Sequence, residues 1–243
     1  MPRILTYNVH RCIGVDGRLD VARIAGVIAA LEPDIVALQE LDVGRARTGG
    51  IDQAHAIAHR LDMSCHFHAA LRVEEEQYGD AILTSYPERL VKAGHLPGLT
   101  PSLGLEPRGA LWIGANIDGV EVQVINTHLG LAPREQRRQA TALAGLDWLR
   151  REGCHGPAIL LGDFNATGVS AVYRTLTARL GDARRLGPAR RSTATFPSRL
   201  PLLRIDHVFV SADIKVLDLD APYTAATRVA SDHLPLVMDF ELV

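Results

Sequence analysis

Thiol chemistry is the first thing this sequence lacks. Its three cysteines, Cys12, Cys65 and Cys154, are widely spaced and form no Cys-x-x-Cys pair. Neither a zinc site nor a disulfide framework is supported. Thiols that stay reduced point to a cytoplasmic compartment. No signal segment is visible, because Met1-Pro2-Arg3 leads straight into Ile4-Leu5-Thr6-Tyr7-Asn8. No apolar run reaches the roughly 18 residues of a membrane-spanning helix. The net charge is only −2, which gives no global argument for nucleic acid, although a local basic patch would serve a DNA binder. The two tryptophans, Trp112 and Trp148, fall inside predicted elements, so no aromatic wedge for unstacking bases is visible. Linkers and low-complexity tracts are missing as well, and residues 1–243 are expected to form one domain.

What is present is ordinary in bulk and patterned in detail. The 243 residues are 47% hydrophobic and 22% charged, typical of a globular chain with room for a large core. Residues 3–9 read as a strand, and after Asp20 the residues Val21, Ile24, Ala25, Ile28 and Leu31 recur at helical spacing. Ile35-Val36-Ala37-Leu38 is a second continuous apolar run. Strand, helix, strand with apolar runs predicts a parallel pair. A short helix over 52–61, strands over 65–70 and 78–84, and a Pro/Gly loop over 95–107 follow. Asp118-Gly119 predicts a hairpin turn between strands over 108–117 and 120–127. Pro133 opens a helix lined by Leu143, Leu146 and Leu149. Its arginines Arg134, Arg137 and Arg138 read as a solvated face, with contact to phosphate the lesser alternative. A strand at 159–162, a helix near 169–180, a basic loop through Arg184, Arg185, Arg190 and Arg191, a strand over 204–210 and a closing strand to Phe240 complete the chain. The basic loop could cover a site, contact an anionic substrate or simply be solvated.

The apolar runs end in polar clusters. These are Asn8-Val9-His10, Gln39-Glu40, Asn126-Thr127-His128, Asp163-Phe164-Asn165 and Ser231-Asp232-His233. In open α/β sheets, ligands collect at the carboxyl ends of strands. Gly162-Asp163-Phe164-Asn165 alone would serve equally as a plain turn. Collected, however, Asn8, Glu40, His128, Asp163, Asn165, Asp206, Asp232 and His233 form a set of carboxylates, amides and imidazoles. Neighbouring carboxylates raise one another's pKa unless something positive joins them. Oxygen donors without thiolates favour Mg²⁺ or Mn²⁺. Asp163 is placed to take a proton from water while Asn165 orients it. A His233 held by Asp206 keeps its charge and suits a phosphate transition state.

The ordered set Thr6-Tyr7-Asn8, Leu38-Gln39-Glu40, Tyr78-Gly79-Asp80, Arg108-Gly109-Ala110, Asn126-Thr127-His128-Leu129, Gly162-Asp163-Phe164-Asn165, Arg204-Ile205-Asp206-His207 and Ser231-Asp232-His233-Leu234-Pro235 resembles the endonuclease/exonuclease/phosphatase superfamily of metal-dependent phosphoesterases. The resemblance implies a four-layer α/β sandwich, two packed mixed β-sheets flanked by helices. It implies metal binding by Glu40, with Asn8 and Asp232 as helpers, and catalysis by Asp163, Asn165, His233, Asp206 and His128. Arg108, with His10 and Asp80, would face the substrate phosphate. At Asp80 the family pattern usually carries Asn, so extra negative charge is expected there. The loop Cys12-Ile13-Gly14-Val15-Asp16-Gly17 is similar to members of unassigned substrate, some suspected of acting on phospholipid-like diesters. The expected activity is hydrolysis of a phosphoester, preferably a diester. A DNA endonuclease or exonuclease and a catalytically silent phospholigand-binding module are the alternatives.

Overall fold

Strands buried on both faces read as unbroken apolar runs, because alternate residues enter different cores. The computed structural model, which describes residues 1–99, 105–150, 155–188 and 192–243, shows where those cores are. Strand β1 (Arg3–Asn8) is joined by helix α1 (Val21–Ala29) to a parallel β2 (Ile35–Val43). Helix α2 (Gln53–Leu61) leads to β3 (Ser64–Val73) and β4 (Glu76–Thr84). Then come β5 (Glu88–His95), β6 (Gly109–Ile117) and β7 (Val120–His128). Helix α3 (Pro133–Leu143) connects β7 to a parallel β8 (Ala158–Asp163). The chain ends through α4 (Ala171–Thr177), β9 (Gly181–Asp182), α5 (Ala183–Leu186), β10 (Asp206–Val210), β11 (Ile214–Asp220), α6 (Thr227–Ala230) and β12 (Leu236–Leu242). Two six-stranded mixed sheets result, in the orders β11-β12-β1-β2-β4-β3 and β5-β6-β7-β8-β10-β9.

Three apolar clusters define the layers. Ile4, Ile35 and Ala37 of one sheet meet Val124, Ile159 and Leu161 of the other between the sheets. The intervening residues Leu5, Val36 and Leu38 turn outward onto Ile24, Ile28 and Ile57 of α1 and α2. On the opposite outer face, Trp112, Ile125 and Leu160 pack under Ala140 and Leu143 of α3 and Leu176 of α4. The expected four-layer sandwich is therefore observed, and the parallel pairs β1–β2 and β7–β8 lie at the sheet centres.

One polar latch crosses the central core. Asn126 Nδ2 of β7 donates to the carbonyls of Leu38 and Ala81, each at 2.9 Å, on β2 and β4. Its Oδ1 accepts from Gln39 Nε2 at 2.7 Å. The latch grips β2 beside a bulge, where register against β4 shifts between Leu38 and Leu41. Glu40 sits in that bulge with φ 62°. A bulge re-aims a side chain that a regular strand would send elsewhere.

Two expectations are corrected. Helix α3 stops at Leu143, where the chain turns through Gly145 and Leu149 N donates to Leu143 O at 3.1 Å. Glycine in mid-helix loses to a turn, and Leu146 is left 69% exposed rather than lining a helix face. Strands β5, β9 and β11 were not expected, and all three lie at sheet edges. Pro101, Gly104, Gly153, Cys154, Arg190 and Arg191 lie outside the described residues.

Candidate active site

Each parallel pair ends on polar residues, and the two pairs end side by side. Asn8, the last residue of β1, donates from Nδ2 to Glu40 Oε1 and to Asp163 Oδ2, both at 3.0 Å. One amide thus ties a residue of each sheet. At the end of β8, Gly162 adopts φ 140°, and a Cβ there would stand 1.9 Å from the Thr127 carbonyl. Only glycine lets β7 approach so closely, and this brings His128 alongside Asp163. The next turn places Asn165 at φ 48°, with its N–H donating to Asp163 Oδ1 at 2.8 Å. Gln136 of α3 donates to the Asn165 carbonyl at 2.8 Å and fixes the turn from outside.

A second carboxylate comes from β10. Asp206 pairs with Asp163 in the antiparallel β8–β10 ladder. Its Oδ2 lies 2.8 Å from His233 Nδ1, and His233 Nε2 reaches to 3.7 Å from Asp163 Oδ2. On the other side, Arg108 Nη1 lies 3.0 Å from His128 Nδ1. His128 Nε2 lies 3.6 Å from Asp163 Oδ2 and 3.1 Å from Asn165 Nδ2. Guanidinium and amide nitrogens only donate, and a neutral imidazole has one acceptor nitrogen, so the ring accepts from Arg108 or from Asn165 but not from both.

Electrostatics divides the two imidazoles. His233 is buried, which opposes its charge, but Asp206, Asp163 and Asp232 outweigh burial and raise its pKa to about 10. His128 is buried beside Arg108 and His233 and is held well below the usual histidine range. One ring is an imidazolium at neutral pH and the other is a neutral imidazole. Burial, then Asp206, pushes Asp163 up to about 7, against the opposing pull of His233. Burial likewise raises Asp80 to about 8, despite Arg108. The extra negative charge expected at Asp80 is thus largely removed by a retained proton.

These groups also fit a hard cation. Asp206 Oδ1 is buried without a hydrogen-bond partner, and Asp163 and Asp80 hold protons that a positive ion would displace. Asp163, Asp206 and His233 offer ligand atoms within 4.8 Å of one another. His233 Nδ1 is already engaged by Asp206 Oδ2 at 2.8 Å, which leaves only Nε2 open to a ligand. Glu40, only partly buried beside Asn8, is the more open oxygen donor.

Not every expected residue converges. Asp232 is near the site through the charge it exerts on His233, while its Oδ1 accepts from Ser231 Oγ at 3.3 Å. His10 turns into its own loop: Nδ1 lies 3.1 Å from the Ile13 carbonyl and Nε2 contacts Arg11. Its backbone N–H, by contrast, donates to Asn8 Oδ1 at 3.1 Å. Thr195 was missed by sequence reasoning. Its buried hydroxyl donates to Asp206 Oδ2, the oxygen that also holds His233. Its segment covers the dyad: Leu234 N donates to Thr195 O at 2.8 Å, and the Phe196 ring lies 5.0 Å from that of His233. A covering role was one of the readings for this loop, but Ser-Thr-Ala-Thr carries no signal that singles out the second threonine.

Comparison with known proteins gives the family and the fold. The model of the Endonuclease/Exonuclease/phosphatase family matches residues 5–233. The chain belongs to this family. Its members generally hydrolyse phosphoester bonds and commonly use divalent metals. An uncharacterized protein YbhP of Escherichia coli strain K12 is 27% identical over 99% of this chain and 96% of its own length. A functionally unknown conserved protein of Enterococcus faecalis V583 has the same fold, with TM-score 0.80 and 21% identity over 99% of this chain and 100% of that one. The mannosyl-6-phosphatase Bt3783 of Bacteroides thetaiotaomicron VPI-5482 superposes with TM-score 0.77 at 18% identity, covering 100% of both chains. No helix among the described residues is long and apolar enough to cross a membrane.

Proposed function

We propose that the chain is a divalent-cation-dependent phosphoester hydrolase that prefers diesters. The observation that carries this reading is the convergence of Asn8, Glu40, Asp163, Asn165, Asp206, His128 and His233 from both sheets onto one hydrogen-bonded edge. Asp163, with a pKa near neutrality, takes the proton of the attacking water, and Asn165 orients that water. His233, kept cationic and oriented by Asp206, donates from Nε2 to a phosphoryl oxygen and stabilises its developing charge. Arg108 and His128 bind the remaining phosphate oxygens. Without a bound cation Asp80 keeps its proton and adds no repelling charge. Glu40, with Asn8 and Asp232 as helpers, would hold Mg²⁺ or Mn²⁺, which supplies Lewis-acid polarisation of the phosphoryl group and of the departing oxygen.

The preference for a diester rests on the family resemblance of the loop after Asn8. A monoester is the second reading, because one neighbour of the same fold is a mannosyl-6-phosphatase. A nuclease is disfavoured by the net charge of −2. The test is turnover of bis-p-nitrophenyl phosphate and p-nitrophenyl phosphate with Mg²⁺ or Mn²⁺. Wild-type protein should cleave the diester faster, and Asp163→Ala should lose about a hundredfold to ten-thousandfold in kcat, as removal of a general base does, while keeping its circular dichroism. Absence of metal-dependent turnover by wild type on both esters would refute the reading.

A further inference from the structure

The three arginines of α3 are unused by the chemistry above. Arg134, Arg137 and Arg138, with Thr141, stand at i, i+3, i+4 and i+7 on one helix face, and all four line a cavity of about 840 Å³ shared with Pro97 and Leu99. The arginine side chains are exposed, and no carboxylate pairs with them among the described residues. Glu135, the acidic residue of the first turn, is buried instead, close to Gly98 and Gly130. Such an arrangement is locally unfavourable. Like charges at i, i+3 and i, i+4 repel, and Arg134 faces the positive end of the helix dipole. A surface that only needed solvation would interleave acids here.

The position relates this face to catalysis. A second cavity, of about 520 Å³, is lined by Arg108, Gly130, Leu131 and Glu135. Arg134 lines the first cavity and its neighbour in the first turn of α3, Glu135, lines the second. Arg134 lies six residues after His128, a separation of at most about 20 Å along an extended chain. A substrate seated on Arg108 could therefore extend along α3.

We propose that Arg134, Arg137 and Arg138 form a subsite for a second phosphate group of the substrate, beyond the scissile ester. This rests on the hydrolase reading and narrows it: preferred substrates carry two phosphates rather than one. Guanidinium groups suit this task, since each presents paired donors to phosphate oxygens. The second phosphate can belong to a nucleotide chain or to a phosphorylated headgroup, and the arms of the test separate these.

Binding is read first, by titration calorimetry of tripolyphosphate into metal-free Asp163→Ala protein. Adding Arg134→Ala, Arg137→Ala and Arg138→Ala together should weaken affinity at least tenfold. Alanine favours an exposed helix, so folding is preserved, and Arg137→Lys alone should cost less than Arg137→Ala without restoring full affinity, since lysine keeps the charge and loses the paired donors. Turnover is read second. In an otherwise wild-type protein the triple variant should leave bis-p-nitrophenyl phosphate kinetics within twofold. It should raise KM about tenfold, at constant kcat, for either a 5′-phosphorylated dinucleotide or a phosphorylated glycerophosphoinositol, whichever is the substrate. Unchanged tripolyphosphate affinity in the triple variant overturns the subsite. If wild type turns over none of these esters, the hydrolase reading fails by itself, and a tenfold loss of tripolyphosphate affinity still upholds the subsite.

Discussion

Asp163 carries the sharpest conflict between stability and use. Its carboxyl is buried beside Asp206 and is raised from 3.8 to about 7. A raised acid pKa means the native state holds a proton that the unfolded chain releases. Stability therefore falls as pH rises from about 4 to about 7, and the full penalty persists above that. Asp163→Asn keeps the shape and removes the charge. Without divalent cation it should stabilise the fold at pH 8 by on the order of 1–3 kcal/mol, with the gain shrinking toward pH 4. Urea denaturation across this range measures it, and a D163N variant less stable than wild type at pH 8 would contradict the electrostatic account. The same residue shows what a sequence can reveal. Asp163 was legible because Gly162 and Asn165 frame it after an apolar run. Its raised pKa was foreseen only as a general effect of clustered acids. The partner oxygen shared by Thr195 and His233 on Asp206 was not legible, because it depends on a contact across eleven residues of irregular chain.

Among the elements, legibility follows burial. Central strands β1, β2, β7 and β8 were readable because both faces are apolar. Edge strand β5 was not, since Glu88, Arg89 and Lys92 interrupt its pattern, as charges on an edge strand commonly do. Strand β11 is bulged between Val216 and Asp218, which breaks its alternation. The register between the sheets was also invisible, since Asn126 looked like one more polar strand end. Its side chain instead satisfies the carbonyls of Leu38 and Ala81 and accepts from Gln39. Removing it takes this donor from the buried Leu38 and Ala81 carbonyls, while Gln39 Nε2 keeps Thr6 Oγ1 and the Ala37 carbonyl. Asn126→Ala should cost about 2 kcal/mol or more, because each orphaned group costs roughly 1–3 kcal/mol. Combined with Gln39→Ala, the losses should be sub-additive by about 1 kcal/mol. Additive losses in a denaturant double-mutant cycle would show that the latch is not one unit.

The whole molecule concentrates acid groups where its two sheets meet, and their protons register the mismatch. Asp163 and Asp80 are held near 7 and 8 by burial, so at neutral pH each is partly or mostly neutral in the absence of a cation. A bound divalent cation would favour their ionised forms and would stabilise the native state over the unfolded chain, which has no preformed site. Saturation at a hundred times the dissociation constant contributes about 2.7 kcal/mol. For a chain of this size each kcal/mol raises Tm by about 2–4 °C, so a shift of roughly 5–10 °C is expected. Protonation of Asp163 and Asp80 weakens the field that attracts the ion, and the shift should be larger at pH 8 than at pH 6. Glu40→Gln should remove most of it at both pH values, since Glu40 is the ligand assigned to the ion, while Arg137→Ala should leave it intact. Thermal denaturation with about 10 mM Mg²⁺ or Mn²⁺, against a chelator control, reads all three. A Tm that does not move with either ion, or a shift that survives Glu40→Gln unchanged, would remove the cation from the Glu40 side of the cluster.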